Sequence, residues 1–268
     1  MKRFNFFFIL LSIALASCQE DADKVISTDL PTEANQLFDL SNAWSESLYF
    51  ALLSFDEYQA MDTASTLPGC PELLIEEDTR KVFLNFDAEI ECEQAGNDKR
   101  SGKIVLEYAL SNSNSATWTL EYDNYSFNGS SVKGIRSFKK DNSNQIIESF
   151  NPITLTTEEK LNSVFSGDIK HSGGTVFSNG IGFISGGNLH GVNPAGRDFN
   201  IEIPFDRLML SSCFQENKLM PVAGSEVWSV SRGSSKNVTY QLQYELLDSC
   251  NVAANVILPD GRSLLLNP

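Results

Sequence analysis

The stretch RKVFLNFDAEIECEQAGNDKRSGKIVLEY, Arg80 to Tyr108, carries two strand patterns and the loop between them. Val82, Leu84, Phe86, Ala88 and Ile90 alternate with Lys81, Phe83, Asn85, Asp87 and Glu89, the period of a strand with one buried face. Past a polar loop, Ile104, Leu106 and Tyr108 repeat the alternation against Lys103, Val105 and Glu107, so the chain turns back as an antiparallel neighbour. Near the C-terminus VTYQLQYELLDSC, Val238 to Cys250, echoes this plan, with Leu242, Tyr244 and Cys250 spaced as Leu84, Phe86 and Cys92 are. Asp98-Lys99-Arg100-Ser101 likewise has a counterpart in Asp260-Gly261-Arg262-Ser263, and an internal duplication of 70–108 in 213–267 follows as an expectation.

Working outward, Trp118, Leu120 and Tyr122 face one way and Thr117, Thr119 and Glu121 the other. Asn128-Gly129 is a hairpin dipeptide that lets Tyr122 to Phe127 pair with Val132 to Phe138. Asp141 to Asn144 reads as a plain turn. The segment Gly167 to Gly196 holds nine of the seventeen glycines, which predicts turns and bulges around short strands such as Thr175 to Phe177 and Ile181 to Ile184. Upstream, Leu37, Leu40, Trp44, Leu48, Ala51, Leu52 and Phe55 recur at helical spacing, with Asn35, Asp39, Asn42, Glu46 and Ser47 off that face. Asp29 is the expected cap and Pro31 lies in the first turn. Leu48 to Leu53 is apolar nearly all round and should be covered on more than one side. About ten strands and one helix are expected: a mainly β chain whose antiparallel meander forms a sandwich or a curved sheet, with the helix of 29–61 packed on it and the β region spanning 66–268.

The first residues, MKRFNFFFILLSIALASC, combine a basic start, a short apolar run and small residues before Cys18. The run is too short for a bilayer of about 30 Å, so 1–17 reads as a secretory signal. Leu15-Ala16-Ser17-Cys18 looks like a lipobox, which makes Cys18 the acylated first residue of the mature chain and the membrane its first partner. Residues 18–28 form an acidic tether, and Gln19 to Asp23 resemble the acidic export signal of outer-membrane lipoproteins that face the cell exterior. Removing the signal leaves 18 Lys and Arg against 35 Asp and Glu, a mature net charge of about −17. Such a surface repels phosphate backbones and argues against nucleic acid as a partner. With Cys18 acylated, Cys70, Cys92, Cys213 and Cys250 allow two disulfides in an oxidising exterior, the local pairing being Cys70 with Cys92 and Cys213 with Cys250.

Cys70-Pro71, the strand ending at Cys92, Arg100-Ser101-Gly102-Lys103-Ile104, Tyr122 to Tyr125 with Asn128-Gly129, and Val132-Lys133-Gly134 together resemble a family of Bacteroidetes outer-membrane lipoproteins. Cys213, Cys250-Asn251 and Asp260-Gly261 are similar to that family's C-terminal part. The resemblance spans most of Cys70 to Leu266. It implies secretion and a β-rich fold, and it brings no catalytic residue with it. The loop Glu93 to Asn97 departs from the family pattern.

Catalytic constellations are not evident. His171 and His190 each sit among glycines and read as exposed turn residues, with no HExxH or GxSxG nearby. Glu76, Glu77 and Asp78 read as a solvated face, and Lys99, Arg100 and Lys103 as a solvated hairpin end. No cofactor and no metal is expected. Phe83, on the polar side of its strand, and Tyr125 and Phe127, near the Asn128 turn, are the candidate binding aromatics, able to stack on a sugar ring or to anchor a protein. The function expected is a lipid-anchored, non-enzymatic binding module for glycan or protein. The alternatives are an extracellular hydrolase of polysaccharide or peptide, and an accessory subunit of an outer-membrane assembly.

Overall fold

The computed structural model describes residues 29–61, 67–88, 98–110, 116–173, 182–233 and 236–267. The lipidation position Cys18, Cys92 and the strand proposed at Thr175 to Phe177 lie outside them. Three helical segments come first: α1 (Leu30–Ser45), α2 (Leu48–Leu52) and α3 (Phe55–Gln59). The strands follow as β1 (Glu72–Glu76), β2 (Lys81–Asn85), β3 (Arg100–Tyr108), β4 (Thr117–Phe127), β5 (Ser130–Lys133), β6 (Ile135–Lys140) and β7 (Ile146–Thr156). They continue with β8 (Asn162–Gly173), β9 (Phe183–Val192), β10 (Asp198–Met209), β11 (Ala223–Ser231), β12 (Asn237–Asp248), β13 (Asn251–Ile257) and β14 (Ser263–Leu265), and a short helix α4 (Ser211–Gln215) precedes β11.

All fourteen strands belong to one antiparallel meander sheet, each pairing with its neighbour in sequence except around β5 and β6. Those two share a single place between β4 and β7. The break between them is Gly134, at φ +138°, where an added Cβ would lie 2.7 Å from Ile153 Cδ1 and 2.8 Å from Pro152 O. The β2–β3 pairing runs in the register expected from alternation, Val82 opposite Leu106 and Leu84 opposite Ile104. The Asn128-Gly129 turn has both residues at positive φ, the requirement of a two-residue hairpin.

The sheet does not form a sandwich. It curls around α1. Side chains of β3, β4, β6, β7, β11 and β12 all reach α1 or the turn that ends it, through Arg100, Tyr125, Arg136, Glu148, Glu226 and Tyr240. Laid flat, β3 to β12 would span roughly 40 Å at about 4.8 Å per strand, whereas a helix is about 10–12 Å across. Only strong curvature brings those strands to one helix. Leu48 to Leu53 are buried throughout, as a segment without a polar face requires.

Several local readings are corrected. Glu46 and Ser47, expected off the apolar face, are buried, because the curled sheet encloses the helix end and supplies Arg100, Arg136, Tyr122 and Tyr125 as partners. The helix breaks there, with Arg136 Nη1 donating to the terminal carbonyl of Trp44. Asp29 does occupy the cap position, but its carboxylate takes the Thr32 hydroxyl rather than a backbone N–H. Residues α3 onward begin with a capping box, Ser54 and Glu57 each bonding the other's backbone N–H. The glycine-rich segment is not chiefly turns: β8 and β9 run for 12 and 10 residues. Its glycines make room for neighbours, since a Cβ on Gly191 would lie 2.1 Å from Val164 O and one on Gly167 2.5 Å from the Phe150 ring. His171, expected in an exposed turn, is buried inside β8.

Candidate functional site

Four glutamates are buried among the described residues, and all sit around α1. Glu33, on α1, accepts from Asn193 Nδ2, Arg232 and Tyr240 OH. Glu226, on β11, accepts from Ser41 Oγ at 2.8 Å, Trp228 Nε1 at 2.8 Å and Tyr244 OH at 3.0 Å, with Arg207 Nε 3.0 Å away. Glu148, on β7, accepts from Arg136 Nε at 2.7 Å, Trp44 Nε1 at 3.0 Å and His171 Nε2 at 2.9 Å. The Trp44 indole thus lies among Arg136, Arg207 and His171, with the two guanidinium carbons 5.9 and 5.0 Å from its ring. The oxygens of these three carboxylates are all taken, while Arg136 Nη2 and the Arg207 guanidinium nitrogens make no hydrogen bond among the described residues; the network ties the helix to the sheet.

Burial alone would raise the Glu148 carboxyl, but the Arg136 guanidinium and the His171 hydrogen bond overcome it and hold the group at about 2. Burial pushes His171 below its ordinary 6.5, against the pull of Glu148, so the ring is neutral at pH 7. The network then assigns its proton to Nε2, donating to Glu148, and leaves Nδ1 to accept from Ser185 Oγ at 2.8 Å.

The fourth glutamate, Glu46, differs. It is 1 % exposed, and its Oε2 accepts from Arg100 Nε at 3.2 Å and Tyr125 OH at 3.0 Å. Among the described residues its Oε1 meets no donor, and Arg100 Nη2 meets no acceptor. A buried polar atom left so costs about 1–3 kcal/mol, and more when charged. Burial raises the Glu46 carboxyl despite Arg100 and Tyr125. The Lys99-Arg100-Lys103 cluster therefore divides: Lys99 and Lys103 are exposed, while the Arg100 side chain is inside.

Glu46 borders a cavity of about 290 Å³ at the end of α1. Its walls come from α1 (Phe38, Asn42), the β4–β5 turn (Phe127, Asn128) and the segment after α4 (Glu216 to Met220), with Asp98 and Asn267 at the rim. A second cavity of about 240 Å³ shares Asn42, Phe127 and Asn128 and extends past Asp39 toward Thr157, Glu158 and Glu159. The two form one groove along the stripe of α1 that the sheet leaves open. Asn128 pins its rim, accepting from Lys99 N at 2.8 Å and donating to Asp98 Oδ1 at 2.9 Å. The Cys213–Cys250 disulfide, with Cα atoms 5.3 Å apart, ties α4 to the start of β13 behind the groove. Cys70 is also disulfide-bonded.

The three candidate aromatics do not form one patch. Phe83 lies on the outer face of β2, between Leu74 and Val105, because its neighbours Val82 and Leu84 take the concave side. Tyr125 is in the core and spends its hydroxyl on Glu46. Phe127 alone lines the groove, with the Arg100 guanidinium 5.1 Å from its ring. A bulge turns the last two inward: the β3–β4 register shifts between Ser101 and Lys103, and Asn124 at φ +51° resets the alternation. Gly102 must be glycine there, since a Cβ would sit 2.2 Å from Asn124 O. Sequence reading missed Glu46 as a site residue; its signal was a carboxylate just ahead of the apolar run Leu48 to Leu53.

No protein-family model matches the chain, and neither a curated protein nor a solved structure resembles it significantly. Among the described residues no helix is long and apolar enough to cross a membrane, and no group of three or more His, Cys, Asp or Glu stands ready for a metal ion.

Proposed function

We propose that the chain is an outer-membrane lipoprotein, acylated at Cys18 and facing the cell exterior, that acts as a non-enzymatic binding module, with a glycan favoured over a protein as its ligand. The observation that carries this reading is the groove along α1. It combines a half-buried aromatic, Phe127, with planar amides at Asn42 and Asn128 and carboxylates at Asp98 and Glu216. An apolar ring face suits the C–H face of a sugar, and planar polar groups suit its hydroxyls. At about 290 and 240 Å³ the two lobes are each near the lower end of small-ligand sites, about 300–1,000 Å³, which suits a short chain of small units more than one large molecule. A protein partner would need a broader face, on the order of 800 Å² per side.

The anchor and the ligand are tested separately. Mass spectrometry of the native protein is expected to find Cys18 as an acylated N-terminus, and protease shaving of intact cells is expected to release the protein. A free thiol at Cys18, or resistance to shaving in cells whose other surface proteins are cut, would remove the address. For the ligand, the mature lipidated chain in detergent is applied to a glycan array. Binding to a defined set of glycans is expected, and a blank array would refute the glycan reading.

A further inference from the structure

We infer that the cavity beside Glu46 takes a single sugar-sized polyol, and that Glu46 and Arg100 together read one of its hydroxyl groups. This rests on the glycan reading above and assigns it a subsite.

The inference starts from the ion pair itself. Glu46 Oε2 is occupied by Arg100 Nε and Tyr125 OH, while Oε1 has no donor among the described residues. Arg100 uses Nε on Glu46 and Nη1 on Asn217 Oδ1 at 3.1 Å, while Nη2 has no acceptor among the described residues. Both side chains are 1 % exposed. Glu46, Asn217 and Phe127, the residues that Arg100 bonds or overlies, all line the cavity. Glu46 thus carries an unpaired acceptor at the cavity wall, and the unpaired donor Nη2 belongs to Arg100, which lies directly behind that wall.

That combination selects among ligand chemistries. An ammonium group has only donors and would meet the Arg100 charge. A carboxylate has only acceptors, and both it and phosphate bring a negative charge that would meet that of Glu46. A hydroxyl answers both, giving its proton to Glu46 Oε1 and a lone pair to Arg100 Nη2. The walls agree with a body that is apolar on one side and hydroxylated on the other, with Phe38, Phe127 and Leu219 against Asn42, Asp98 and Asn267. The other buried carboxylates lack this opening: Glu33, Glu148 and Glu226 accept on both oxygens.

The test uses the full mature chain in detergent with four methyl glycosides (glucoside, galactoside, mannoside and N-acetylglucosaminide) and with butylammonium and inorganic phosphate as contrasting probes. Binding is read by saturation-transfer NMR and calorimetry. Two variants report the site: Glu46→Gln, which removes the charged acceptor, and Asn42→Phe, which fills the groove from its open side without touching the ion pair. At least one glycoside is expected to bind, and Asn42→Phe is expected to weaken it at least tenfold while the melting temperature and circular dichroism stay unchanged. Glu46→Gln, if folded, is expected to show the same loss. Preference for butylammonium or phosphate over every glycoside would overturn the hydroxyl assignment. Glycoside binding undiminished in a folded Asn42→Phe protein would overturn the subsite while leaving glycan binding in place. If the array is also blank, both readings fall.

Discussion

At the scale of single residues, the decisive groups are charges and a histidine placed where local pattern expects either water or a turn. His171 is held below its ordinary 6.5 in the folded protein, so as pH falls from 6.5 the unfolded chain takes up a proton that the folded one refuses. Stability should therefore drop with acid from about pH 6.5 downward. Glu148, depressed from 4.5 to about 2, adds a contribution that is complete above 4.5 and is lost as pH falls through about 2. Glu46 and Asp39, both raised by burial, act oppositely, favouring the folded state below their ordinary 4.5 and 3.8 and losing that contribution as pH rises through their folded values. Urea midpoints measured from pH 7 to 5 should fall in the wild type, and His171→Gln should flatten that fall; a wild-type midpoint constant over this range would refute the account. Arg136→Met alone strands the Glu148 carboxylate and should cost about 3–5 kcal/mol, whereas Arg136→Met with Glu148→Leu should recover most of it. Equal losses in the single and double variants would show that the pair is not coupled. None of this was legible at Glu46 or His171. Their partners lie 54 and 23 residues away, so local sequence could not show who would accept or donate.

At the scale of elements, alternation identified β3, β4 and the start of β2, and Asn128-Gly129 its turn, because both rules depend on adjacent residues alone; the alternation read on through Phe86 and Ala88 is not strand, since β2 ends at Asn85 and 86–88 turn away. The glycine-rich region was misread for the converse reason. Glycine as a turn former and glycine as a gap for a neighbouring side chain look identical until the neighbour is known. In β8 and β9 the neighbours are Phe150, Phe165 and the Val164 carbonyl. Gly191→Ala should then cost about 1–3 kcal/mol by forcing the β8–β9 pair apart, a size typical of overpacking. Thermal unfolding would measure it, and a neutral result would return Gly191 to an ordinary flexible position. The bulge at Gly102 and Asn124 is another element-level decision, since one shifted register turned Tyr125 and Phe127 inward.

At the scale of the whole molecule, the sheet must curl before any of the α1 contacts exist, and the disulfide helps hold the curled end. Cys213 and Cys250 are 37 residues apart, so their bridge should restrict the unfolded chain by about 4 kcal/mol. Replacing both with Ser should lower stability by about that amount in denaturant titrations. It should also loosen Glu216 to Met220, so affinity for whichever glycan the array identifies should fall with it. Unchanged affinity in the folded double variant would mean the cavity wall does not depend on the bridge. Strand period, the hairpin turn and the apolar helix were readable from neighbours along the chain, since each obeys a spacing of a few residues; the Cys213–Cys250 pair was readable because each cysteine's partner was taken to be the next in sequence. The choice of a sheet curled around α1 over a sandwich, the burial of four glutamates and the groove were not, because they arise where residues as far apart as Glu33 and Tyr240, 207 positions in sequence, meet only after every intervening strand has paired.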